Sequence, residues 1–147
     1  MKKSIFLILA IALGFTACEN DDMRNSDIPS VVLNGFTEEF PDAKGVEWEI
    51  KADFYEADFD LANVDYEAVI NTDGSLVRYK YEIVYDELPE AVKATITADY
   101  DQTKIDDIEV LKISENTYYQ IEFDEEPTDV KVIFGKTGEV NTEVTTW

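Results

Sequence analysis

Ile28-Pro29-Ser30-Val31-Val32 is answered sixty residues later by Leu88-Pro89-Glu90-Ala91-Val92, and this echo decides the fold. The same spacing joins Val32, Phe36 and Phe40 to Val92, Ile96 and Tyr100, and Lys44 to Lys104. Further along it widens to 64: Phe54-Tyr55-Glu56-Ala57-Asp58-Phe59 aligns with Tyr118-Tyr119-Gln120-Ile121-Glu122-Phe123, and Asp73-Gly74 with Thr137-Gly138. The second copy therefore carries four extra residues, placed most economically in a hairpin around Ser114 to Thr117. A unit of roughly 60 residues that recurs in order builds one supersecondary arrangement twice. The two copies run 28–87 and 88–147.

Each copy opens on proline, whose fixed φ suits the first turn of a helix. Apolar residues then recur every fourth position (Val32, Phe36, Phe40; Val92, Ile96, Tyr100) and line one helical face. The helix stops at Pro41 in the first copy and near Asp101 in the second. Beyond it the period becomes two. Val46, Trp48 and Ile50 alternate with Glu47, Glu49 and Lys51. Val64, Tyr66, Ala68 and Ile70 follow the same rule, as do Val77, Tyr79, Tyr81, Ile83 and Tyr85, and later Val130, Val132 and Phe134. Alternation of this kind marks sheets with one apolar and one wet face, and the short connections make neighbouring strands antiparallel.

The expected fold is α+β. Tandem duplicated helix-plus-four-strand units place two helices on one face of an antiparallel sheet of about eight strands. The other face is expected to be open to solvent, carrying Glu47, Glu49, Lys51, Arg78, Lys80, Glu82, Gln120 and Glu122. Arg78 and Lys80, rare basic spots in an acidic chain, are expected there as partner contacts; the alternative is that they merely offset Glu47 and Glu122 across the strands. Alternation assigns Trp48 to the core, with a place on the binding face as the alternative, since tryptophan is favoured at interfaces.

The domain is preceded by a leader. Lys2 and Lys3 are followed by an apolar run from Ile5 to Ala17 and then by Cys18, the single cysteine. Such a run covers roughly 20 Å as helix, short of a bilayer core of about 30 Å. A charged start, a short apolar stretch and small residues before a cut describe a signal peptide over 1–17. Cysteine at the cut, in Phe15-Thr16-Ala17-Cys18, resembles the lipobox of bacterial lipoproteins, which implies lipid attachment at Cys18. Ordinary cleavage is less suited, because Phe15 is bulky at the third place before the cut. Residues 18–27 form an acidic tether, and Glu19-Asn20-Asp21-Asp22 resembles the signal that sends lipoproteins of Bacteroides-like bacteria to the surface. The expected address is the outer membrane, periplasm-facing or surface-exposed.

Composition narrows the chemistry. A formal charge of −21 repels nucleic acid and anionic membranes. At 45% hydrophobic and 12% aromatic residues the chain is nonetheless a folding one, and the domain is long enough for a core without disulfides. Histidine is absent, which removes the usual general base, the commonest zinc ligand and every Ser-His or Cys-His pair. Carboxylates such as Asp58, Asp60, Asp99, Asp101, Asp106, Asp107, Glu125 and Glu126 are too many for one acid–base pair to stand out. Asn71-Thr72-Asp73-Gly74 resembles part of a calcium loop, but that register puts Val69 first and Lys80 where a bidentate glutamate belongs. A tight hairpin turn is the better reading. Neither a cofactor nor a metal site is expected, and the chain is not expected to be an enzyme.

The Leu-Pro-x-x-Val-x-x-x-Ile helix opening, with its later Asp-Gly or Thr-Gly hairpin, resembles PepSY-like domains. More specifically it is similar to the beta-lactamase-inhibitor-like group of small lipoproteins and periplasmic proteins in Bacteroides-type bacteria. The resemblance spans Ile28 to about Trp147 and implies two helices against eight strands. It also implies a link to peptidase inhibition, with the sheet presented to the target, although no inhibitory residue transfers to a numbered position. The expected function is a non-catalytic, lipid-anchored binding module that modulates a protein partner such as a peptidase. Arg78, Lys80, Glu82, Glu47, Glu49, Gln120 and Glu122 form the expected contact face. The alternative is an acidic, cation-binding surface protein with no specific target.

Overall fold

The computed structural model describes residues 27–147. The leader, Cys18 and nearly all of the tether lie outside the described residues. Pro29 and Pro89 cap the two helices, α1 (Ser30–Glu39) and α2 (Glu90–Asp99), each with φ −56°. Both helices end one residue before an aromatic, Phe40 or Tyr100, whose N–H still donates to Phe36 or Ile96.

Eight strands follow one another in space as in sequence. They are β1 (Lys44–Lys51), β2 (Phe54–Leu61), β3 (Val64–Asn71), β4 (Leu76–Glu82), β5 (Ile105–Ile113), β6 (Asn116–Phe123), β7 (Val130–Gly135) and β8 (Val140–Asn141). All neighbours are antiparallel, and α2 interrupts the meander between β4 and β5. The duplication extends to irregularities: the first hairpin of each unit has a shifted register at its start, between Lys44 and Glu47 and between Ile105 and Asp107.

Register turns alternation into two faces. Trp48 faces Ala57, Ala57 faces Ala68, and Ala68 faces Tyr79, so the α1 side of four strands is one row. Tyr81 pairs with Val110 and Val110 with Tyr119, which carries the same side into the second unit. Under α1, Val32, Phe36 and Phe40 pack with Trp48, Ala57, Phe59, Ala68 and Ile70. Under α2, Val92 and Ile96 pack with Ile108, Ile121, Phe123 and Phe134. Trp48 is 1% exposed, which answers the choice between core and interface in favour of core.

Aromatic rings fill both clusters at edge-to-face or stacked distances. Phe36 stands edge-on to Phe59 at 4.9 Å and to Trp48 at 5.1 Å; Tyr100 stacks on Phe123 at 4.8 Å. The turn glycines tie sheet to helix. Gly74 and Gly138 both have φ +87°, and a Cβ on either would strike the carbonyl of Val31 or of Ala91. Gly35 leaves room for the Gly74 carbonyl; at the equivalent place Thr95 Oγ1 donates to the Gly138 carbonyl at 2.8 Å.

Three expectations are corrected. Val77 is exposed rather than core, because a bulge lets Val69 face Arg78 while Ile70 faces Leu76, and Leu76 takes the inward place. Ile50, expected inward, is 51% exposed on the edge strand. The fourth strand of the second unit shrinks to two residues. The four extra residues are in the expected hairpin, but they lengthen both strands. The path from Ile108 to its partner Ile121 exceeds that from Trp48 to Ala57 by four, and both hairpins keep a two-residue turn.

Candidate binding face

Glu47 and Glu49 flank Trp48 on β1, so they point away from the helices. Following the pairs from there puts Asp58, Glu67, Val69, Arg78, Lys80, Glu82, Asp107, Glu109, Leu111, Gln120, Glu122, Lys131 and Ile133 on that same side. All seven residues expected on the contact face therefore share it. The face divides into an acidic zone and a covered centre.

The acidic zone is built from like charges placed directly opposite one another: Glu47 with Asp58, Asp58 with Glu67, Asp60 with Asp65, Glu82 with Glu109. Such pairs are unfavourable across strands. A depression of about 190 Å³ has Asp58, Asp65, Glu67, Lys80, Glu82 and Glu109 among its lining. Burial, then the Glu56 and Glu49 charges, pushes the Asp58 carboxyl up. Glu82 is raised by burial and by the Asp107 and Asp65 charges; Asp107 is raised by burial and by Glu109.

Lys80 is the electrostatic centre. Its ammonium lies 3.0 Å from Glu67 and 2.8 Å from Glu109, with little of any of the three side chains exposed. Burial opposes its charge, but the two carboxylates outweigh that and hold its pKa above the ordinary lysine value. Glu67 stays raised, because burial outweighs its ion pair with Lys80. The other oxygen of Glu109 accepts from Gln120 Nε2 at 2.6 Å.

Gln120 then leads to a residue that sequence reasoning missed. Gln120 Nε2 donates to the main-chain oxygen of Trp147 at 2.8 Å, and the Trp147 N–H donates to Gln120 Oε1 at 2.7 Å. Lys131 donates to the same Trp147 oxygen at 3.1 Å and pairs with Glu122 at 3.1 Å. The indole lies under the Arg78 guanidinium at 4.2 Å, with Lys80 Nζ at 5.3 Å. The centre of the face is thus not open to solvent as expected. Gln120 is 2% exposed, since a paired amide beneath a folded-back segment is shielded from water. Arg78 and Lys80 do not offset Glu47 and Glu122, which have other neighbours; Glu49 pairs with Lys51. Glu47 and Glu82 remain exposed. The one trace of Trp147 in the sequence is an aromatic after Thr142-Glu143-Val144-Thr145-Thr146, a stretch without period.

Among the described residues no group of three or more Asp, Glu or Cys is placed to hold a metal ion. No helix among them is long and apolar enough to cross a membrane.

Two repeated helix-plus-sheet units sharing one antiparallel sheet are the architecture of a tandem PepSY-like domain. The family model described as "Putative beta-lactamase-inhibitor-like, PepSY-like" matches residues 15–78 and again 72–142, and the chain belongs to that family. Among solved structures, a "putative periplasmic" protein from Bacteroides eggerthii superposes with a TM-score of 0.71 at 21% identity, over 76% of this chain and 84% of that one. A DUF2874 family protein from Bacteroides uniformis gives 0.68 at 21%, over 76% and 85%. A BLIP-like protein from Bacteroides fragilis gives 0.68 at 20%, over 81% and 92%. At these identities the likeness shows the fold. No curated protein matches the sequence.

Proposed function

We propose that this chain is a non-catalytic binding module of the bacterial cell envelope that engages a protein partner through the sheet face opposite its helices. The observation that carries the reading is the acidic zone. Like charges are opposed there outside the Lys80 triad, Glu47 to Asp58 and Asp60 to Asp65, and the Asp58, Glu82 and Asp107 carboxyls are raised by partial desolvation and by one another's neighbouring charges. A basic partner surface would relieve that repulsion on docking. The inhibitor-like description of the family and the BLIP-like relative support a protein target; a peptidase is the class that the sequence resemblance to PepSY-like domains favours. Arg78, Lys80 and Gln120 organise the centre, while Glu47, Glu49, Glu82 and Glu122 meet the partner around it.

The anchor is proposed on Cys18, whose lipid would hold the module at the outer membrane, facing the periplasm or the exterior. Cys18→Ser is expected to leave unprocessed precursor or soluble protein; normal lipid labelling of that variant would refute the anchor.

The binding reading is tested by quantitative capture from envelope and secreted fractions, comparing the wild type with Glu47→Lys/Glu82→Lys. Both positions are exposed and face like charges, so the variant should keep or gain stability while losing its partner at least tenfold. Equal capture by both proteins would exclude the acidic zone as the contact.

A further inference from the structure

Trp147 stands far from where its segment begins. Asn141 is on β8 at the sheet edge, whereas Arg78 and Lys80, which touch the indole, are on β4. The Trp147 main chain is held over β6 and β7 by Gln120 and Lys131, and its indole alone reaches on to β4. The segment bends over 142–144 and then carries Trp147 inward from the sheet edge. The start of the run is fixed by Asn141 Oδ1, which accepts from the Glu143 and Val144 N–H groups. Thr142, Glu143, Thr145 and Thr146 are exposed, so the far end is held at Trp147.

That grip is of a kind that reads peptides. The Gln120 amide both donates to and accepts from the main chain of one residue, which any amino acid offers. The Arg78 cation over a ring selects an aromatic side chain. Beneath lie Val69, Leu111 and Ile133, each 1–2% exposed and in neither helix-side cluster. Their strand partners are Arg78, Lys80 and Gln120, the residues that touch Trp147. No strand ladder holds Trp147, so its release would leave the eight-stranded pairing intact.

We infer that residues 142–147 are an internal occupant of a peptide-binding strip, displaced by an extended partner segment that lays an aromatic side chain on Arg78 and its main chain on Gln120. This rests on the proposed reading of the face as a binding surface, and it names the partner's chemistry. The neighbouring acidic zone, with Asp58 and Glu82, favours lysine or arginine beside that aromatic.

The test uses full-length protein and a labelled synthetic peptide of residues 141–147. Trp147→Ala, with its strip vacated, should bind the peptide at least tenfold more tightly than the wild type. A peptide with alanine for the tryptophan should bind neither, and adding Gln120→Ala should abolish binding. No peptide binding by folded Trp147→Ala overturns the inference. Concentration-dependent dimerisation of the wild type that Trp147→Ala removes would seat a second copy's segment on the strip and also overturn it. Should Trp147→Ala fail to fold, wild-type amide exchange decides. The Trp147 N–H should exchange at least a hundredfold faster than that of Trp48, whereas exchange only through global unfolding contradicts displacement. Peptide binding with undiminished capture by Glu47→Lys/Glu82→Lys would sink the proposed acidic contact alone; lost capture without peptide binding would sink this inference alone.

Discussion

Phe36 and Ile96 occupy the same place in the two units, and each is buried at 5% exposure or less against its own half of the sheet. Truncating a buried Phe or Ile to alanine costs about 2–5 kcal/mol, a large share of a typical total of about 5–15. Phe36→Ala and Ile96→Ala are each expected to lower the urea unfolding midpoint clearly, and unchanged midpoints for both would mean that the helical faces are misassigned. Lys80 differs in kind. Alternation placed it correctly on the wet side, but sequence could not show that Glu67 and Glu109 enclose it, because those partners come from strands on either side. Removing one member of an enclosed ion pair costs about 3–5 kcal/mol. Lys80→Glu would set three carboxylates together and is expected to destabilise by at least roughly 3 kcal/mol. Denaturant titration checks this, and a loss under roughly 0.5 kcal/mol, the range of ordinary exposed substitutions, would show the triad to be a surface feature. Partner loss in a Lys80 variant therefore says little about binding, and Glu47 and Glu82 are the better probes.

Elements were legible where one period held over several residues. The four-residue rhythm of Val32, Phe36 and Phe40 and the two-residue rhythm of Val46 and Trp48 each report burial on one side, which local sequence determines. Reading failed where geometry broke the rhythm. The bulge at Val77 moves one residue without any glycine or proline to announce it. The turns after β3 and β7 read as hairpins, but their docking on the helices depended on contacts some forty residues apart, such as Thr95 with Gly138. Gly138→Ala is expected to destabilise by more than about 1 kcal/mol, because alanine resists the positive φ and its methyl strikes the Ala91 carbonyl. Lys136→Ala, in the same turn and exposed, is the control that should change little. Equal thermal midpoints for the two would show that the turn does not hold the helix.

At the scale of the whole molecule, charge governs behaviour. Asp58, Glu67, Glu82 and Asp107 all have carboxyl pKa values raised in the folded chain, by burial first. A raised folded value contributes stability that is full below the unfolded value and is lost as pH rises through the folded one. Asp73, Asp101 and Glu139 are lowered by hydrogen bonds from Ser75, Thr103 and Thr137, and lose their contribution only as pH falls through their folded values. The chain is accordingly expected to melt at a higher temperature near pH 5 than at pH 7.5, before the second group reverses the trend at lower pH; a melting temperature at pH 7.5 equal to or above that at pH 5 would contradict the assignment. The duplication made the architecture readable from sequence, since two copies of one pattern constrain each other. The covered centre was not readable, because residues 142–147 carry no period and Trp147 is held by Gln120, Lys131 and Arg78, which only the assembled sheet brings together.

The claim that the chain works through the face opposite its helices is tested most directly by methyl spectra of the protein with and without its captured partner. Val69, Leu111 and Ile133 should shift on binding while Val32, Val92 and Ile96 stay in place. Shifts confined to Val32, Val92 and Ile96 would put the partner on the helical side and contradict the account.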